Sequence, residues 1–182
     1  MTTQTYTITV NYDKSVEDLI KLGKYDWKNN DINSTNFPST QTGKEKVEVE
    51  LLGFDEPISS EKAIKYMESI GLRPLNLTEL LHLGIKYPDL QRKYLIIALG
   101  STWRHPHGSL GVPCLRRFDL DRYLYLLRFG GDWYPGWRFA AVRMVSSTLK
   151  PPVSSKPLDT SDTLTLRDLD KKLDKIIKLL SK

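Results

Sequence analysis

Tyr94-Leu95-Ile96-Ile97-Ala98-Leu99 opens, and Trp133-Tyr134-Pro135-Gly136-Trp137-Arg138-Phe139-Ala140-Ala141-Val142-Arg143 closes, the stretch on which the reading of this chain turns. Leu95 to Leu99 is a continuous apolar run, the pattern of a strand buried on both faces. Trp137 to Val142 predicts a last strand. Residues 94–143 hold ten of the eighteen aromatic residues and seven of the ten arginines, yet none of the seventeen lysines. Arginine carries a planar fork that stacks on rings and grips carboxylate or phosphate bidentately, which lysine cannot do. Arg, Tyr and Trp in this density have the composition of a binding surface. The plainer alternative is that the tryptophans are core and the arginines merely solvated.

Within that stretch, Val112 to Leu115 predicts a short strand, Arg116 to Arg122 a charged loop, Tyr123 to Leu127 another strand and Gly130-Gly131-Asp132 a turn. On Tyr123 to Leu127 the side chains alternate. Leu124 and Leu126 face one way, Tyr123, Tyr125 and Leu127 the other. If the leucines are core, the tyrosines present rings and hydroxyls outward, as paratopes do. They are equally able to lie under the loop of residues 104–122, and the pattern does not choose.

Upstream, Thr5 to Tyr12 and Lys46 to Phe54 alternate strictly and predict half-buried strands. Ser15 N-caps a short helix to Leu22, with Gly23 as its stop. Residues 24–43 read as a long loop, pinned to the body by Trp27 and Phe37. A helix from Ser59 or Ser60 to Ile70 buries Ala63, Ile64, Met67 and Ile70, and Gly71 ends it. Asn76 with Glu79 three residues on forms a capping box for a leucine-rich helix, and a helical turn follows to Lys93. Downstream, residues 148–163 form a Pro/Ser-rich linker. In residues 164–182, Leu166, Leu169, Leu173, Ile176 and Leu180 make an a/d seam of about two heptads. So short a helix is marginal alone. It either docks on its own domain or pairs with copies of itself, and a homo-oligomer is the favoured expectation.

The formal charge of +5 is divided: residues 1–93 carry a net −2, residues 94–143 a net +4 and residues 144–182 a net +3. That excess falls short of a dedicated DNA-binding stripe. No apolar run approaches a membrane span. The N-terminus lacks a basic start and an apolar segment, so no secretory signal is expected. The single cysteine, Cys114, agrees with a reducing, cytoplasmic setting and reads as a small hydrophobe.

Leu72-Arg73-Pro74-Leu75-Asn76-Leu77-Thr78-Glu79-Leu80, Gly100-Ser101-Thr102-Trp103 and Trp137 to Arg143 together resemble motifs of the C-type-lectin-like fold, in its formylglycine-generating-enzyme and diversity-generating-retroelement variable-protein branch. Residues 5–143, with Lys24-Tyr25-Asp26-Trp27 near the start, also resemble a group of uncharacterised bacterial proteins. The paired cysteines and calcium-site carboxylates of the generating enzymes have no counterpart here. The resemblance therefore implies an α+β C-type-lectin-like domain over residues 1–147, with a short twisted antiparallel sheet, two main helices and long loops. It implies a non-enzymatic display module for a protein or glycan, with no cofactor or metal. The site would be Arg116, Arg117, Arg122, Tyr123, Tyr125, Arg128, Trp133, Tyr134 and Trp137, the region that varies in retroelement-diversified members.

Two other functions compete. Single-stranded nucleic acid could stack on Tyr and Trp with Arg on phosphates, although the missing lysines fit this poorly. A metal-dependent hydrolase on His105 and His107 lacks a recognisable third ligand. P-loop, dinucleotide and nucleophile-elbow patterns are absent from the sequence.

Overall fold

A computed structural model describes residues 3–144, which belong to one compact unit. The expected linker (148–163) and amphipathic helix (164–182) lie outside the described residues. The architecture is mixed α+β. In chain order the elements are β1 (Thr3–Asn11), α1 (Val16–Gly23), β2 (Trp27–Lys28), β3 (Lys44–Leu52), β4 (Ile58–Ser59), α2 (Ser60–Ser69), β5 (Leu72–Pro74) and α3 (Leu77–Lys86). They continue with α4 (Leu90–Lys93), β6 (Ile96–Ile97), β7 (Trp103–Arg104), β8 (Leu110–Phe118), β9 (Asp121–Arg128), β10 (Asp132–Trp133) and β11 (Arg138–Arg143).

Among the described residues one nine-stranded sheet runs β1-β3-β11-β6-β8-β9-β2, with β5 also beside β11 and β7 beside β8. This corrects the expectation of a short antiparallel sheet. The sheet is large, and β11 pairs with β6, and β2 with β9, in parallel. Parallel neighbours need long crossovers, and the residues between β6 and β11, and between β2 and β9, supply them. Two helices were expected to dominate; α2 and α3 are joined by α1 and the short α4.

The period of two divides the core by sheet face. Val47, Val49, Ile96, Leu115, Leu124, Ala140 and Val142 pack with Val16 and Leu19 of α1 and with Leu77, Leu80, Leu81 and Leu83 of α3. Leu52, Ile97, Val112, Cys114, Phe139 and Ala141 pack with Ala63 and Met67 of α2. Adjacent Ile96 and Ile97 thus serve opposite cores, as the continuous apolar run requires. Each aliphatic side chain so buried contributes about 1.5–3 kcal/mol of transfer free energy, which is why the helices sit where these stripes are.

Local signals set the helix starts. Ser15 Oγ accepts from Asp18 N–H at 3.1 Å, and Asn76 and Glu79 make the reciprocal capping box. The stop of α1 differs from the expectation. Lys24, not Gly23, takes the left-handed conformation, at φ +49°. Gly23 is required for another reason, because a Cβ there would lie 2.4 Å from the Tyr25 ring. Gly84 is the matching case on α3, where a Cβ would lie 2.4 Å from Tyr25 Oη. The tyrosine is therefore wedged between two helices that close on it only because both positions lack a side chain.

Candidate functional site

The β8–β9 hairpin turns at Asp119-Leu120, with Asp119 in the left-handed region at φ +51°. Residues 116–122, expected as a charged loop, are instead mostly paired strand. Arg116 stands opposite Tyr123, Arg117 opposite Arg122 and Phe118 opposite Asp121. The extended register settles which side chains share a face. Leu115, Leu124 and Leu126 face the α1/α3 core. Cys114, Arg116, Phe118, Tyr123 and Tyr125 share the opposite face with Val112 of the α2 core.

β2 completes this face from a distant part of the chain. Its parallel pairing sets Trp27 beside Tyr123, held by Asp26 N–H donating to Arg122 O at 3.0 Å and Asn29 N–H donating to Leu124 O at 2.9 Å. Asp26 Oδ2 accepts from Arg122 N–H at 2.7 Å and fixes the start of the pairing. The Trp27 ring lies 5.3 Å from that of Tyr123 and 5.5 Å from that of Tyr125, and Phe118 lies 5.8 Å from Tyr123. Interplanar angles of 29°, 34° and 29° make these four rings a leaning stack. The Arg116 guanidinium sits over Tyr125, 5.6 Å from its centroid. Trp27 is 41% exposed and Phe118 53%, while Tyr123 and Tyr125 are half-buried.

Of the nine residues expected to form the site, the structure brings Arg116, Tyr123 and Tyr125 together in this row. Arg117 and Arg128 are exposed towards the two ends of the hairpin, on the other alternation of their strands. Tyr134, 67% exposed, and half-buried Trp137 form a separate pair, 5.6 Å between centroids. Two expectations are corrected. Arg122 is only 7% exposed, because it shares the inward alternation of Leu124 and Leu126. Its guanidinium donates to Gly23 O at 2.6 Å, Gly84 O at 2.8 Å and Gln91 Oε1 at 3.2 Å, and stacks 4.9 Å from the Tyr25 centroid. Trp133 is 4% exposed; its Nε1–H donates to Ser60 Oγ at 2.8 Å, and Ser60 Oγ–H donates on to Phe129 O at 2.6 Å. Both are struts, with their polar atoms used inside the protein.

Sequence reasoning missed Trp27 and Phe118. Trp27 was expected only to pin its loop, and Phe118 to sit within a charged one. A signal for Phe118 exists: reading Asp119-Leu120 as a two-residue hairpin connection extends both strands and puts Phe118 on the tyrosine face. Trp27 has no such signal, since its place depends on pairing with a strand about a hundred residues away.

A concavity of about 550 Å3 lies apart from this row, at the start of α3, between the 36–41 loop and Gly100-Ser101-Thr102. Arg73 lines it and pairs with Glu79 through Nη1–Oε2 at 3.0 Å and Nη2–Oε1 at 2.6 Å. Glu79 is fully buried and also accepts from Tyr12 Oη–H at 2.8 Å and Asn76 N–H at 2.9 Å. The hydrogen bond to Glu79 raises the Arg73 pKa above its ordinary value and keeps the ion pair intact. Burial and the same carboxylate raise that of Tyr12. Leu77 N–H donates to Ser101 Oγ at 2.9 Å, and Asn76 Nδ2–H to Gln41 Oε1 at 3.0 Å, so the walls are tied to one another. The lining residues include no His, Cys or unpaired carboxylate to act as a base.

Burial pushes the Cys114 thiol up to about 12, which makes it a poor nucleophile. His105 packs against Trp103, 4.1 Å between ring centroids, and His107 is exposed. Among the described residues no cluster of three or more His, Cys, Asp or Glu is placed to hold a metal, and no helix is long and apolar enough to cross a membrane. Comparison of the chain with family models, with curated proteins and with solved structures finds no match in any of the three.

Proposed function

We propose that the protein is a non-enzymatic binding module of cytoplasmic setting, built on a C-type-lectin-like scaffold, and that it recognises a protein ligand through the aromatic row Phe118–Tyr123–Trp27–Tyr125. One observation carries this reading: four rings, two of them well exposed, continue the α2-side core out to the surface of the sheet. Exposed aromatics contiguous with a packed core are the arrangement of interface hot spots, where large rigid area is presented at low entropic loss.

The way the rings lean on one another favours protein over the alternatives. Nucleobases and sugar rings stack on free aromatic faces. Here Tyr123 has both Trp27 and Phe118 stacked against it, and Trp27 leans on Tyr125 as well, so neighbouring rings already occupy faces that a base or a sugar would use. Panning a random-peptide phage library on wild type and on a Trp27→Ala/Tyr125→Ala variant tests the reading. Enrichment on wild type that disappears on the variant is expected, and equal enrichment on both would overturn it. Filter binding of oligo(dT) across a salt titration examines the single-stranded nucleic-acid alternative, for which steep salt dependence is the signature. Self-association through residues 164–182 belongs to the same proposal; light scattering with and without residues 150–182 is expected to give an oligomer and a monomer.

A further inference from the structure

We propose that the ligand of the aromatic row is an acidic peptide segment that presents one carboxylate, flanked by apolar residues, to Arg116. This rests on the reading of the row as the binding face and adds the chemistry of what occupies it.

Arg116 is the cation placed within the row, cross-strand from Tyr123 and over the ring of Tyr125. Its Nε is buried and has no hydrogen-bond partner, and none of the ion pairs among the described residues includes Arg116. An unpaired donor on a charged group surrounded by rings is expensive to keep, and the expense is removed by an acceptor arriving from outside. A carboxylate that draws the fork outward by one rotamer step meets Nε and a terminal nitrogen together, which is the bidentate geometry guanidinium provides.

The number of charges follows from what else shares this alternation. Arg117 and Arg128 stand on the other alternation of their strands, so Arg116 is without a basic neighbour in the row. Phosphate recognition uses clusters of arginines, and a single fork suits a carboxylate. Asp121 stands opposite Phe118 at the turn end of the same face and repels a second acidic residue there. One Glu or Asp among apolar residues therefore fits better than an acidic run.

The test uses the full chain and a peptide selected by panning. Sequencing should show a single Asp or Glu in an apolar or aromatic context. Fluorescence anisotropy should show Arg116→Gln, or Glu→Gln in the peptide, weakening binding by about tenfold or more, as charge pairs at interfaces do. The two changes together should weaken it no further than either alone, the mark of direct coupling. Arg116→Lys should restore part of the affinity. Binders that depend on Trp27 but carry no acidic residue and ignore Arg116→Gln would overturn this inference and leave the binding face standing. A library with no Trp27-dependent binder removes both. Because the peptide-side change leaves the protein intact, a folding defect in the Arg116 variants cannot imitate the result.

Discussion

Arg122 Nη2 donates to the carbonyl of Gly84 across 2.8 Å, and that carbonyl has no helical donor because the residue four positions on is Pro88. Arg122 Nη1 does the same for Gly23 O, the last carbonyl of α1. One guanidinium thus caps the C-terminal ends of two helices, where the macrodipole favours a cation and orphan carbonyls need donors. Arg122→Met should remove about 3 kcal/mol or more of stability by leaving three buried acceptors unpaired. Arg122→Lys should recover less than half, since an ammonium cannot reach three divergent acceptors from one plane. Urea unfolding followed by circular dichroism measures both.

The pH dependence of folding should carry the mark of His82. Its Nδ1 lies 2.8 Å from Thr78 O and its Nε2 accepts Asn11 N–H at 3.1 Å, so the neutral ring with the proton on Nδ1 fits the site. Burial lowers its pKa from the ordinary 6.5. A folded-state pKa below the unfolded one means the unfolded chain binds the proton first. The contribution is complete above about pH 6.5 and is lost as pH falls towards the folded-state value, at up to about 1.4 kcal/mol per pH unit. Urea midpoints at pH 7.5 and 5.5 should fall further for wild type than for His82→Gln.

The two tryptophans should separate cleanly. Trp133→Ala empties a buried site and removes the donor to Ser60 Oγ, so a loss of about 3–5 kcal/mol is expected. Trp27→Ala at an exposed site should lower stability by roughly 1 kcal/mol or less while abolishing peptide capture. Thermal melts beside the panning readout distinguish a strut from a contact.

Cys114 should be silent to a disulfide-exchange reagent in the native protein. It is fully buried in the α2-side core, and its thiol is pushed up to about 12. Labelling in rising urea should begin with the unfolding transition. Rapid labelling in buffer would show that β8 opens locally.

Much of the frame was legible without coordinates. The alternation of Ile8, Val10 and Tyr12, and of Val47, Val49 and Leu51, placed β1 and β3 and chose their inward faces. Ser15 and the Asn76–Glu79 box marked helix starts correctly because capping is satisfied within four residues. The candidate site was legible in part. Arg116, Tyr123 and Tyr125 were expected from the family resemblance and meet in the row, but Arg122 and Trp133 were expected on the same ground and lie inside. Arg122 was misplaced by one boundary. Starting β9 at Tyr123 left Arg122 in a loop, whereas starting it at Asp121 puts Arg122 in step with Leu124 and Leu126.

The long alternating strands β1 and β3 and the starts of the helices could be read from the chain alone, because they depend on periods of two and 3.6 and on neighbours a few residues away. Only the tertiary structure decided that Trp27 joins Tyr123 and Tyr125, and that Arg122 ties Gly23 to Gly84. Those relationships join residues from distant parts of the chain through a parallel pairing and two helix ends. No local period encodes which distant donor meets which orphan carbonyl; that choice is made when the two faces of the sheet are covered.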